Sequence, residues 1–335
     1  MQVTIVGAGV VGLCCAIELL EAGHKVTVVA DRQSPRTDSD RAGAIWLPLL
    51  SNEDGEEPAG YLDRVASWSR TSWSRLTRLV DSGLGPAAGV RMLRNHELFR
   101  TPAEPPPYLP EILSDIQVTD DDRLPAGFEY RWTFATYAFD VPRYLAWLGT
   151  SARALGAEVL NGRVGSLDQL AEVPGDTVVN CTGRRAAELF GDPFLRPVKG
   201  QLLFHDPIPM TDAFGADEYG VLPGPDACVL GSLFTFDFDD EEPSQADGER
   251  IWNEILRWER VADDAVGIPP GLLRRSRIRK VQAGVRPYRV RGVRFEVDSD
   301  TLAGRPLIHD YGHGGSGFTF SWGCGRDVAE LVTTL

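Results

Sequence analysis

The chain has 335 residues, with 34 Lys plus Arg against 48 Asp plus Glu, a formal charge of −14, and 43% apolar and 24% charged residues. Such proportions belong to an ordinary globular protein of two domains or one large discontinuous one. The acidic balance argues against a nucleic-acid binder or a protein held on an anionic membrane, and no apolar run approaches the ~18 residues that span a bilayer.

The first strand-like run is Gln2-Val3-Thr4-Ile5-Val6. It starts almost at the first Met, with no basic segment and cleavage site, so no secretory leader is expected and the protein reads as cytoplasmic. Cysteines 14, 15, 181, 228 and 324 are odd in number and form no CxxC. They read as reduced thiols, with no disulfide framework and no metal site. The strand runs into Gly7-Ala8-Gly9-Val10-Val11-Gly12, a GxGxxG, then an amphipathic stretch (Leu13, Ala16, Ile17, Leu20) closed by Gly23. A second strand, Lys25 to Ala30, ends at Asp31. In a dinucleotide fold Gly7 makes the tight turn, Gly9 admits a pyrophosphate, and Gly12 lets helix and sheet pack closely. The helix start offers unpaired N–H groups to the phosphates, and Asp31 is placed to accept from a ribose hydroxyl. The motif alone does not separate NAD from FAD.

Beyond Asp31 the βαβ order breaks. Arg32 to Arg41 is a polar loop, and the small residues Gly43 and Ala44 suit close approach to a flat ligand or a plain turn. Leu62 to Leu79 reads as a helix. Residues 89–139 alternate as strands around a Pro-rich loop, Thr101 to Pro110. A helix is expected over Val141 to Leu155, and strands over Ala157 to Leu160 and Asp176 to Asn180. The second of these ends in Thr182 and Gly183, where a doubly wound sheet places its ligand. Strands follow from Leu202 to Phe238, a helix from Ser244 to Val261, an arginine-rich strand region from Arg277 to Val297, and a last helix from Phe318 to Val332.

Two C-terminal segments sharpen the reading: Ala283-Gly284-Val285-Arg286-Pro287-Tyr288-Arg289, and Leu307-Ile308-His309-Asp310-Tyr311-Gly312-His313-Gly314-Gly315-Ser316-Gly317 followed by Trp322-Gly323-Cys324. Together with Ala30-Asp31-Arg32, Asn180-Cys181-Thr182-Gly183 and Lys199-Gly200-Gln201, they resemble the D-amino acid oxidase family. The resemblance implies an α/β fold: a glutathione-reductase-type Rossmann FAD-binding domain (1–55, 141–195, 300–335) interleaved with a mixed-sheet substrate domain (56–140, 196–299). It implies FAD as cofactor and oxidative deamination of a D-amino acid by O₂, with hydride passing from Cα to the flavin and no protein base at Cα. The partners implied are a small D-amino acid and O₂, with neither nucleic acid nor membrane, and a homodimer left open.

The resemblance also assigns residues. Arg286 matches the arginine that holds the substrate carboxylate, which a planar guanidinium grips through two parallel hydrogen bonds. Gly315 matches the carbonyl that accepts from the amine, followed by Ser316. Gly312, Gly314, Gly317, Phe318 and Thr319 would border the flavin, and Arg32, Thr37, Asp38, Ser39 and Val164 the adenosine path. Asp38 is a poor neighbour for a pyrophosphate unless it turns away. The family block departs at Asp310 and Gly325. Vertebrate-type members carry two lid tyrosines where this chain has only Tyr219, expected at the carboxylate or over the pocket. Phe234 stands where D-aspartate oxidases place an arginine, and with Leu47 and Leu49 it makes an apolar wall, so neutral substrates are expected over acidic ones. The alternatives are a D-aspartate oxidase, a glycine- or sarcosine-oxidase-like enzyme, and an inactive flavin-binding homologue. Gly315-Ser316-Gly317-Phe318 lacks the GxSxG spacing of a hydrolase.

Overall fold

The structure, a computed structural model, describes residues 1–48, 58–263 and 265–335. Its strands are β1 (Gln2–Val6), β2 (Lys25–Ala30), β3 (Val90–Phe99), β4 (Gln117–Asp120), β5 (Tyr130–Phe139), β6 (Glu158–Asn161), β7 (Thr177–Asn180), β8 (Leu195–His205), β9 (Ala213–Ala216), β10 (Tyr219–Leu222), β11 (Cys228–Gly231), β12 (Thr235–Phe236), β13 (Ile278–Arg289), β14 (Arg294–Asp298) and β15 (Leu307–Tyr311). The longer helices are α1 (Val10–Glu21), α2 (Tyr61–Asp81), α3 (Val141–Ala154), α4 (Gln245–Leu256) and α5 (Gly317–Thr334). Among the described residues no helix is long and apolar enough to cross a membrane.

Six strands form one sheet in the order β14-β15-β7-β1-β2-β6. Five of them run parallel, and only β14 pairs antiparallel, at the edge. Val3 to Val6 are buried because helices cover both faces of a parallel sheet, so the run needs no alternation. The apolar cluster against this sheet gathers side chains of α1, α2, α3 and α5. The second sheet has the order β12-β8-β11-β10-β9-β3-β5-β4, with β13 also paired to β8. It is mostly antiparallel and therefore free to treat its faces differently. One face packs Leu203, Phe214, Val221 and Leu230 against Ile251, Trp252 and Ile255 of α4. The other carries glycines and polar groups and faces the first sheet's carboxyl ends.

Two segments expected with the substrate domain lie elsewhere. β14 hydrogen-bonds into the six-stranded sheet, so the boundary drawn at 299/300 cuts through that sheet. α2, expected with 56–140, packs on α5: Trp68 Nε1 donates to Asp327 Oδ2 at 2.7 Å, and the Gly323 N–H donates to Ser72 Oγ at 3.0 Å. The helix expected to reach Val261 stops at Leu256. Beyond it, Trp258 and Arg260 exchange backbone hydrogen bonds with Ile268, which a continuing helix would forbid.

Candidate active site

A cavity of about 1230 Å³ lies between the two sheets, lined by the 7–12 loop at one side and by Arg286 and Phe234 at another. At the nucleotide end, Gly7 has φ +120° and Gly12, in the first turn of α1, packs against it; a Cβ on Gly7 would overlap the Cys181 carbonyl, and one on Gly12 would overlap the Gly7 carbonyl. Those two glycines are required by the fold itself. Gly9 differs, since its nearest neighbour is Ser39 Oγ, which accepts from the Val10 N–H at 3.0 Å. The start of α1 thus presents its N–H groups to the cavity, with one polar side chain already recruited.

Asp31, Arg32, Thr37, Asp38, Ser39, Gly43, Ala44, Val164, Thr182 and Gly183 also line this cavity. Asp38, on that lining, is paired: it accepts from Arg184 Nε at 3.1 Å, while burial raises its pKa. Arg184 further pairs with Asp239 and Glu241, and Arg185 pairs with Asp31. Sequence reasoning missed both arginines, although they follow Thr182-Gly183 directly. Thr37 is engaged in a local cap, its Oγ1 donating to Asp40 Oδ2 at 2.6 Å.

At the other end Gly312 and Gly314 take φ +88° and +56°, which turn the loop back before α5. A Cβ on Gly315 would stand 3.8 Å from Arg286 Cδ, so loop and arginine adjoin. Arg286 Nη1 donates to the Leu233 carbonyl at 2.8 Å and its Nη2 to Ser232 Oγ. The guanidinium lies 4.3 Å from the centroid of the Phe234 ring. It covers Gly200, where any Cβ would collide with it. Desolvation lowers its pKa to about 10, opposed by the charge of Glu218, so it stays cationic at neutral pH. Ser232, Glu218 and Gly200 complete this arrangement, and none was singled out from sequence as its support.

Gly312, Gly314, Gly315, Ser316, Gly317, Phe318, Leu47 and Phe234 all border the cavity. Leu49 lies outside the described residues. Thr319 is a correction: it is buried away from the cavity, accepting from the Leu47 N–H at 3.4 Å. Tyr219 borders the cavity; its register partner is Ala216 and its ring packs against the apolar cluster on α4, while its neighbour Gly220 shares the register face of Gly215 and Gly231.

Behind the glycine loop the chain gathers Cys15, Cys181, Cys324, His313 and Asp310. Cys15 Sγ donates to Asp310 Oδ2 at 3.3 Å. Burial holds His313 neutral, down at about 3, and pushes Cys324 far up, so none offers Asp310 a charge. Asp310 itself is pushed to about 7 by burial. An acid whose folded pKa exceeds its unfolded value binds more protons when folded. Its penalty is absent below about pH 4, grows through the interval and is complete above pH 7. Asp310→Asn should therefore melt about 3–6 °C above the parent in alkaline buffer, with the gap narrowing on acidification; thermal melts across pH check this.

The whole of this geometry sits inside one family pattern: residues 2–331 match the model described as FAD dependent oxidoreductase. The chain belongs to that family. A D-amino-acid oxidase from Rubrobacter xylanophilus is 33% identical, covering 99% of this chain and 95% of its own. A D-aspartate oxidase from Homo sapiens is 28% identical, covering 99% and 94%. The glycine oxidase of Geobacillus kaustophilus shares the fold, with a TM-score of 0.73 at 18% identity and coverage of 99% and 95%. The cavity of this FAD-dependent oxidoreductase suits its cofactor. Gly9 leaves room where a side chain would fill the cradle, α1 points N–H donors inward, and Asp31 ends β2 on the same wall. The 7–12 loop would hold the pyrophosphate and the 312–317 loop would border the flavin.

Proposed function

We propose that this member of the family oxidises D-amino acids, with O₂ and water, to 2-oxo acids, ammonia and H₂O₂. One observation carries the reading: a half-buried, cationic guanidinium held beside the 312–317 loop, at the meeting of the two sheets. FAD, when bound, supplies the electron acceptor. Arg286 supplies the carboxylate grip, and it is held rigid by Leu233, Ser232 and the Phe234 ring, which fixes substrate orientation without further ordering. The Gly315 carbonyl is the acceptor for the substrate amine. With the substrate held at both groups, the Cα–H is presented toward the cofactor side of the cavity.

Both D-amino-acid and D-aspartate oxidases are similar to this chain, so likeness does not choose the side chain. Phe234 does. Its ring occupies the position facing Arg286, and burying a second carboxylate there without a partner costs several kcal/mol. Glu218 on the same cavity wall adds repulsion. Acidic substrates are therefore excluded and uncharged side chains accepted. Anaerobic addition of D-alanine should bleach the flavin band, and peroxide output with D-alanine should exceed that with D-aspartate by about a hundredfold. An unbleached spectrum across a D-amino acid panel would overturn the reaction, and D-aspartate as the fastest substrate would overturn the specificity.

A further inference from the structure

The cavity face of the second sheet has a register that single strands do not reveal. Glu97 pairs with Gly215, Gly215 with Gly220, Gly220 with Gly231, and Gly231 with Leu202. Directly paired residues share a face, so three glycines in adjacent strands separate Glu97 from the strand beneath Arg286. Above Gly220 nothing but main-chain oxygen comes within 3.4 Å of where a Cβ would be. The Glu97 carboxylate lies flat over Gly215, as the Arg286 guanidinium lies flat over Gly200; a Cβ on either glycine would collide with the charged group above it. The floor at Gly215 and Gly220 is free of side chains of its own, and the Leu202 side chain lies over Gly231 between them and Gly200.

Glu97 is otherwise underprovided. Among the described residues its hydrogen bond is the one from Asn95 Nδ2 at 3.2 Å. It is half-buried, and its open side is the cavity. Asp217, on the same wall, is a second negative charge beside it. Burial pushes Glu97 up to about 7, and a cation brought into the cavity is the partner that would restore its charge.

We infer that Glu97 is the side-chain end of the substrate site, and that the pocket favours D-amino acids whose side chain ends in an ammonium or guanidinium group. The span is comparable. Gly200 and Gly215 lie three strand spacings apart across the sheet and, by the register, two residues apart along it, about 16 Å in all. A lysine-length zigzag from carboxylate carbon to terminal nitrogen covers about 7 Å, and a charged hydrogen bond at each end, measured between group centres, adds about 3–4 Å apiece. Alanine or valine would reach Arg286 and leave Glu97 untouched. The inference rests on the D-amino-acid reading and sharpens its preference among non-acidic side chains.

D-lysine and D-norleucine have the same carbon chain and differ in the terminal charge, so their kcat/KM ratio reads the contribution of Glu97. It should favour D-lysine by about tenfold or more above the Glu97 pKa, and in Glu97→Gln the ratio should fall to about one or below. Calorimetry without turnover gives a second readout: ε-aminocaproate should bind the holoenzyme more tightly than caproate, and Glu97→Gln should erase that order. D-norleucine oxidised faster than D-lysine by the parent enzyme, or an unchanged ratio in a folded, yellow Glu97→Gln, overturns the inference while leaving the oxidase reading intact. Absence of turnover with every D-amino acid sinks the oxidase reading instead, and the calorimetric order then decides Glu97 by itself.

Discussion

Arg286→Ala should lower kcat/KM for D-alanine by about a thousandfold, through KM more than kcat, while the protein stays yellow. The magnitude follows from two charge-assisted hydrogen bonds to the carboxylate, each contributing about 1.5–3 kcal/mol. The KM effect dominates because the grip exists in the bound substrate and persists through reaction. Removing the guanidinium also orphans the Leu233 carbonyl and Ser232 Oγ and uncovers Gly200 and the Phe234 ring. Some stability is lost with them, so Arg286→Lys is the companion variant. It keeps a cation in a similar volume but lacks the planar fork, and should recover only a fraction of the lost affinity. Steady-state kinetics over a wide substrate range, with flavin absorbance measured on the same samples, separates these outcomes. Parent-like kinetics in the alanine variant would refute the carboxylate assignment.

How much of this could be read in advance depended on whether the code was local. The turn from β1 to α1 was legible because its glycines act on neighbours within a dozen residues, and Asp31 follows at a fixed offset. Arg286, Gly315 and the 312–317 loop were legible through a compact motif. Tyr219 was legible as a residue bordering the cavity but not by face, because a one-residue shift on a strand reverses the face and Gly220 is the one that shares the face of Gly215 and Gly231. Thr319 was misplaced: the first turn of α5 borders the cavity at Phe318 and turns the next residue inward to Leu47. β14 read correctly as a strand, but no pattern of five residues says which of two sheets it will join. Glu97 was invisible for a deeper reason. Its meaning arises from a register that joins β3 to β9, β10, β11 and β8, which lie about a hundred residues further along the chain. The glycines that expose it look, one at a time, like loop residues.

The two glycines Gly9 and Gly12 belong to one motif and should fail in opposite ways. At Gly12 a Cβ would overlap the Gly7 carbonyl, so alanine forces α1 away from the β1 turn. That crossing underlies the cluster shared by α1, α3 and α5, and overpacking of this kind costs about 1–3 kcal/mol. Gly12→Ala should therefore melt several degrees below the parent even as apoprotein. Gly9 has φ −78° and ψ −175°, extended backbone open to any L-residue. Its neighbour is the Ser39 hydroxyl at 3.0 Å, a side-chain end able to rotate aside. Gly9→Val should leave the apoprotein melting temperature near that of the parent, because its side chain projects into the space reserved for the pyrophosphate. FAD affinity should fall by about a hundredfold or more, and the purified protein should be colourless. Thermal melts of both apoproteins, followed by FAD titration monitored through flavin fluorescence, distinguish a fold defect from a vacated cradle. A Gly9→Val protein that binds FAD like the parent would show that the pyrophosphate does not lie against this turn.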